Sequence, residues 1–477
     1  MDQTLEDRVR AACELLEQIH QDRGVLAHLT LEQRKRLLRS VGQVAAPTAK
    51  GQKELARARK QRAKDRRRDK VQALLNQTQI RQLRENPLFE TPRRKNRETA
   101  PPPPLGTLDD PRGCYVCRTR YREVHGFYDQ MCIPCGDFNY AKRFQTADLR
   151  GRTALLTGGR VKIGYQAGIL MLRAGAHVIV TTRFPQDAAR RYAAEDDFAD
   201  WADRLEIYGL DLRRSLDVEA FCDHVQSSHS RLDHIINNAC QTVRRPPGFY
   251  DHLMAAENQP QALTDGARHV LGPQVVDGDA SAWSQMPLVP DDLLPAETFF
   301  PVGRLDQDGQ QIDLRRINSW RLRLDEVPTV ELLEVQLVNA IAPYLINGRL
   351  RSLMTRTPNR DKHIVNVSAM EGQFYRTFKS DRHPHTNMAK AALNMMTRTS
   401  APDYFEDGIH MNSVDTGWVT DEDPIALAQD KREMHRFHPP LDIVDGAARI
   451  VDPILDGANT GNHVWGHFLK DYRVVDW

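Results

Sequence analysis

A short apolar run, Arg152-Thr-Ala-Leu-Leu-Thr157, is followed at once by Gly158-Gly-Arg-Val-Lys-Ile-Gly164 and then by a helical pattern through Leu172. The run reads as a buried strand, the glycines as a tight turn and the rest as a helix. Glycines at such a turn let backbone N–H groups approach an anion at the helix N-terminus, where the dipole favours negative charge. From about residue 149 to Trp477, apolar strands continue to alternate with amphipathic helices. That alternation predicts an α/β domain built on a doubly wound parallel sheet. No internal repeat is visible.

Ahead of this domain stands a second constraint. Cys114-Tyr-Val-Cys117 and Cys132-Ile-Pro-Cys135 are two Cys-x-x-Cys knuckles separated by fourteen residues. Such knuckles bring four thiolates to the corners of a tetrahedron, so Cys114, Cys117, Cys132 and Cys135 are expected to hold a structural zinc ion. An iron–sulfur cluster is the alternative. Cys13, Cys222 and Cys240 are expected to be packed residues.

The 477 residues allow two or three domains. Four segments are expected: a helical, partly basic arm at 1–99, a proline-rich linker at 100–109, the four-cysteine module at 110–145, and the α/β domain at 149–477. In the arm, Leu5, Val9, Cys13, Leu16 and Ile19 keep helical spacing, and Thr30-Leu-Glu-Gln33 resembles a capping box. The near-neutral total charge hides an asymmetry. Residues 50–98 carry roughly three times as many Lys and Arg as Asp and Glu, including Arg66-Arg67-Arg68 and Arg93-Arg94-Lys95. This stretch is almost free of aromatics, which favours a solvated helical face or a dock for an acidic protein partner over a nucleic-acid reader. No apolar run is read as long enough to span a bilayer, and paired cysteines in a reducing compartment give a cytoplasmic expectation.

Further motifs follow the glycine turn in a telling order. Ala176-His-Val-Ile-Val-Thr-Thr182 is a second strand ending at Arg183, and Glu206-Ile-Tyr-Gly-Leu-Asp211-Leu212 is a third. Then come Ile235-Ile-Asn237-Asn238-Ala239-Cys240, Leu337-Val-Asn339-Ala, Ile364-Val-Asn-Val-Ser368, Lys390 on a helix, and Asn412-Ser-Val-Asp-Thr416-Gly417-Trp-Val419-Thr420. In this order they resemble the short-chain dehydrogenase/reductase family, whose Rossmann domain binds a nicotinamide cofactor. The resemblance covers residues 149–477. It implies cofactor contacts at Thr157, Gly158, Arg160, Ile163, Gly164, Asp211, Leu212, Asn238, Ala239, Lys390, Gly417, Val419 and Thr420. Arg183 stands where an acid would bind the NAD ribose, and an arginine there accepts the 2′-phosphate of NADP(H) instead. Lys162 replaces the middle glycine of the turn, Cys240 the last glycine of Asn-Asn-Ala-Gly, and Thr416 the usual proline.

One departure bears on chemistry. The family's tyrosine, four residues before its lysine, is here Thr386. A threonine hydroxyl is far less acidic than a phenol of pKa ~10. Ser368, Lys390 and Asn339 remain, with Ser368 expected to polarise a substrate oxygen and Asn339 to hold a relay water. Tyr375, in the loop after Ser368, is the substitute acid expected here, and His383 and His385 are the other candidates. The resulting expectation is an NADP(H)-dependent oxidoreductase acting on a carbonyl or alcohol. The alternative is a catalytically impaired NADP-binding sensor or scaffold. Family members mostly form homo-oligomers, which is expected here too. Residues 241–325 form an insertion that opens with Arg244-Arg245. These arginines suit an anionic substrate, or else pair with acids of the insertion. Its aromatic residues are expected to build a lid or a dimer surface.

Overall fold

The computed structural model describes residues 4–92, 100–276, 278–293, 296–375, 379–420, 422–424, 427 and 438–477. The chain divides into two compact units, Met1–Ala73 and Leu74–Trp477. The first holds helices α1 (Leu5–Gln21), α2 (Leu31–Ala45) and most of α3 (Ala49–Leu75). The capping box read from sequence forms: the Thr30 hydroxyl accepts from Gln33 N–H, and the Gln33 side chain accepts from Thr30 N–H. None of the described residues of this unit is buried, so the helices stand on capping and propensity rather than on a core. Arg66, Arg67 and Arg68 are exposed on α3, and Arg93-Arg94-Lys95 lie outside the described residues.

The second unit begins earlier than the end of the arm expected at residue 99. Leu75 and Ile80 are fully buried, and Ile80 on the short helix α4 (Gln79–Leu83) donates its N–H to Phe127 O at 3.1 Å. Arg81 forms a buried ion pair with Asp129 at 2.7 Å. Residues 74–92 therefore belong to the body. The cysteine segment follows as an antiparallel hairpin, β1 (Gly106–Gly113) and β2 (Arg120–Val124), then helix α5 (Ile133–Arg143). The hairpin takes up the end of the expected linker.

Strands β3 (Thr153–Thr157), β4 (His177–Thr182), β5 (Leu205–Gly209), β6 (His234–Asn237), β7 (Lys362–Ser368), β8 (Ile409–Asp415), β9 (Phe468–Lys470) and β10 (Arg473–Val475) form one eight-stranded sheet. Its order is β10-β9-β8-β7-β6-β3-β4-β5, parallel except for β10. This is the doubly wound Rossmann-type sheet. Apolar clusters on both faces explain why β3, β7 and β8 are buried along their whole length. The crossovers α6 (Lys162–Arg173), α7 (Pro185–Ala193) and α8 (Ser215–Ser228) follow β3, β4 and β5. Strand order reverses between β3 and β6, and ligands of such sheets bind beyond the strand ends at that point.

One reading needs correcting. The helical segment Thr329–Met354 is long and apolar enough to cross a membrane by length and composition, which the sequence reading had excluded. Its Ile346, Leu350, Leu353 and Met354 are fully buried in the cluster beneath β6 and β7. It is a core helix in this fold. The insertion builds its own small core, with Phe249, Tyr250, Leu253 and Phe300 packed on Phe184.

Candidate functional site

A cavity of about 1230 Å³ lies over the carboxyl ends of β3, β4, β6, β7 and β8. The glycine turn forms its floor. Gly158 adopts φ +69°, and a Cβ there would come 2.9 Å from Ala239 Cα. A Cβ on Gly164 would come 2.2 Å from Gly158 O. Only glycine fits either position, and the space kept open is what backbone approach to a phosphate requires. Lys162 sits at φ +55°, a conformation that disfavours a side chain, and it lines the same cavity.

Every cofactor contact implied by the resemblance lines this cavity except Thr157. Thr157 acts from behind: its hydroxyl accepts from Ala239 N–H at 3.0 Å, while Asn238 Nδ2 donates to Thr157 O and Gly158 O. The turn and the end of β6 are thereby tied together. Arg183 donates to the Tyr250 hydroxyl at 2.7 Å and lies over that ring, and no carboxylate pairs with it among the described residues. Arg160 is occupied, held by Asp187 at 2.6 Å and Gln310 at 2.6 Å. Asp211 is engaged as well. Burial opposes its ionisation, but the hydrogen bonds and charge of Arg213 hold the carboxyl below its usual range.

In the catalytic half, Ser368, Thr386 and Lys390 line one stretch of wall. Ser368 Oγ donates to Asn394 Oδ1 at 2.6 Å, and Lys390 Nζ donates to Val367 O at 2.8 Å. Thr386 Oγ1 and Asn394 Nδ2 are buried without a partner among the described residues. Unpaired polar atoms of this kind cost free energy until a ligand or water reaches them.

The remaining catalytic candidates lie elsewhere. Asn339, in a π-helical turn at Leu337–Ile341, gives both amide atoms to the Gln241 backbone, at 2.8 and 2.9 Å. It clamps the chain leaving β6. Tyr375 is 85% exposed and does not line the cavity. Gly372 packs on the Lys390 backbone, and Gln373 donates to Asp476 O, so the loop has turned outward before Tyr375. His383 stacks on Trp320 at 3.9 Å, and His385 is buried; neither lines the cavity. The two insertion arginines follow the internal reading. Arg244 forks onto Asp292 at 2.6 and 2.7 Å, and Arg245, which does line the cavity, pairs with Asp313.

The cysteine module enters this site, which the sequence did not foretell. Gly113, Tyr115, Arg118 and Gln130 line the cavity. The Tyr115 hydroxyl accepts from Trp418 N–H at 3.0 Å, and burial is the main cause that pushes this phenol above its usual pKa. Asp415 is the sheet neighbour of Ser368 and pairs with Lys470 at 2.6 Å, and both charges act on Tyr115. Among the described lining residues, the other tyrosine is Tyr250, at the Arg183 end.

The module is also bolted to the body. Tyr128 donates to Asp445 at 2.5 Å, Arg143 pairs with Asp442 at 2.6 Å and Asp445 at 3.0 Å, and Arg449 donates to Asn139 at 2.7 Å. Its four sulfurs lie within 4.8 Å of one another, with Cys117 Sγ 3.7 Å from Cys132 Sγ. Zinc–sulfur bonds of about 2.3 Å place tetrahedral sulfurs about 3.8 Å apart, so the donor set fits that ion. Hydrogen bonds from Thr119 pull the Cys117 thiol down to about 6, whereas burial pushes the Cys132 and Cys135 thiols up.

Residues 152–255 match the family model described as short chain dehydrogenase. An uncharacterized protein of Acanthamoeba polyphaga mimivirus is 31% identical over 361 residues, covering 72% of this chain and 71% of that protein. Dehydrogenase/reductase SDR family member 13 of Bos taurus is 36% identical over 106 residues, 21% of this chain and 27% of that protein. Among solved structures, NADPH-bound carbonyl reductase from chicken fatty liver is similar at 18% identity and a TM-score of 0.42, over 69% of this chain and all of that one (100%).

Proposed function

We propose that this chain, whose residues 152–255 match the short chain dehydrogenase model, binds NADP(H) and transfers hydride between the nicotinamide and a carbonyl or alcohol carbon of a small molecule. The observation that carries this reading is the single cavity shared by the glycine turn, Arg183, Ser368 and Lys390. The cofactor, when bound, supplies the hydride. Backbone N–H groups at Gly158–Gly164 hold its phosphates, and Arg183 with Lys162 supplies positive charge for the 2′-phosphate. Lys390 orients the nicotinamide ribose, and Ser368 with Thr386 holds the substrate oxygen.

The proton donor in this reading is Tyr115 rather than Tyr375. A phenol is protonated at neutral pH, as donation to a developing alkoxide demands, and the burial that raises the pKa of Tyr115 makes it a weaker acid than a free phenol. Zinc in the four-cysteine site has a structural part, holding the knuckle that carries Tyr115 against Gly417 and Trp418. The test is direct. Purified protein is given NADPH and a panel of aldehydes and ketones, cofactor oxidation is followed, and cofactor binding is measured by calorimetry. Oxidation that depends on a carbonyl supports the enzyme. Tight NADPH binding with no oxidation for any carbonyl supports the alternative, a cofactor-binding sensor, which the absence of a phenol beside Lys390 favours.

A further inference from the structure

At the opposite end of the sheet from the cavity, the parallel register sets His234 on β6, His363 on β7 and His410 on β8 side by side. His463, from the loop after the Ile443–Thr460 helix, reaches the same place. His363 Nε2 lies 2.9 Å from His463 Nδ1, and the rings of His363, His410 and His463 have centroids 4.8 to 5.2 Å apart. One nitrogen from each of the three lies within 4.8 Å of the others.

We propose that His363, His410 and His463 form a second metal site, a three-imidazole site for a first-row divalent cation of the zinc class. His410 Nδ1 lies 3.0 Å from Lys362 O, and a carbonyl only accepts, so the ring proton is on Nδ1. That leaves the Nε2 lone pair for a metal, and the carbonyl orients the ring as outer partners of metal-bound histidines do. The adjoining helix is fitted to this cluster. Gly457 on the adjoining helix is buried, and a Cβ there would come 2.5 Å from His463 Nδ1 and 3.1 Å from His363 Nε2. Glycine is therefore required there for the helix to pack this close to the two nitrogens. His363 is fully buried. His463 is partly exposed and gives an ion access. An all-nitrogen donor set suits zinc, nickel or copper and is wrong for calcium or magnesium. Three protein ligands leave a fourth tetrahedral position for water or a small anion. Such an ion would pin the starts of β7 and β8 to the 461–467 loop.

Cobalt(II) titration of the metal-stripped full chain tests this, because thiolate and imidazole sites have different spectra. The expected result is one equivalent with thiolate-to-cobalt charge-transfer absorption and another with d–d bands alone. His463→Ala should abolish the second and keep the first, and Gly457→Ala should weaken the second at least tenfold. The thiolate band serves as an internal check on folding; if it is lost in His463→Ala, His463→Gln repeats the test with a side chain of similar volume. If the cysteines bind no cobalt, the imidazole equivalent is still read alone. Absence of the imidazole-type equivalent in the native chain, or its persistence in both His463 variants, would overturn the proposal.

Discussion

Tyr115, on the first cysteine knuckle, accepts a hydrogen bond from the backbone N–H of Trp418, in the loop after β8 that lines the cavity from Thr416 to Thr420. The two residues are far apart in sequence, yet this contact makes the cysteine module part of the cavity wall. Stripping the metal, or replacing Cys117 with Ser, should therefore weaken NADPH binding as well as stability. Calorimetric titration of the Cys117→Ser variant should give a loss of fivefold or more in NADPH affinity. Unchanged affinity would mean that the knuckle only staples itself.

Arg183 sets cofactor choice in the proposed reading. Its guanidinium has aromatic neighbours and no carboxylate ion pair among the described residues, whereas Arg160 is spent on Asp187 and Gln310. Arg183→Ala should cost about 1–3 kcal/mol toward NADPH, as loss of a charge-assisted contact does, and leave NADH binding nearly unchanged. Arg160→Ala should instead lower thermal stability. Competition binding with both cofactors reads the difference.

The identity of the acid is open to a three-variant comparison. Tyr115→Phe removes a hydroxyl that lines the cavity, and turnover should fall by ~10²–10⁴ with little change in NADPH affinity. Tyr375→Phe, altering a ring that is 85% exposed, should turn over normally. Thr386→Ala should raise KM more than it lowers kcat, since the hydroxyl is assigned to holding substrate. A large kcat loss in Tyr375→Phe alone would return the role to that residue.

How legible all this was follows from which contacts are local. Strand, turn and helix order depends on residues a few positions apart, so β3 through β8 and the cavity-lining glycines could be read along the chain. The Thr30–Gln33 box is local too. What escaped notice depends on distant partners. Nothing near Tyr115 announces Gly417, and nothing near Arg244 announces Asp292. Asn339 kept its motif position, but its amide is consumed by Gln241. The Thr329–Met354 helix was missed as an apolar segment because its Glu331 and Glu334 break the run; both are buried. Glu334 meets Arg213 and Arg244.

Glu257 offers a pH test of the insertion. It accepts from the N–H groups of Asp187 and Gln186 at the start of α7, directly after Arg183. Burial, outweighing those bonds, pushes its carboxyl up to about 7. A carboxyl raised above its unfolded value of about 4.3 favours folding below that pH, and the contribution is lost as pH rises through about 7. Glu257→Gln cannot ionise. Its stability relative to the native chain should therefore improve by on the order of 2 kcal/mol between pH 5 and pH 8, whatever constant offset the lost acceptor introduces. Urea unfolding at the two pH values measures this, and a pH-independent difference would rule out ionisation of Glu257 in that window.

The boundary at Leu74 separates two truncations that the sequence alone would treat as equivalent. Residues 4–73 hold no buried side chain among those described, so removing 1–73 deletes no core. That variant should fold with native thermal stability and bind NADPH as the full chain does. Removing 1–99 also deletes Leu75, Ile80 and the Arg81 partner of Asp129, all buried. It strands Asp129 inside the cysteine module without its cation, a change that costs about 3–5 kcal/mol when a buried pair is broken. Metal retention and NADPH affinity should both fall in the longer truncation. Equal behaviour of the two truncations in metal content and cofactor binding would show that residues 74–99 are dispensable to the body.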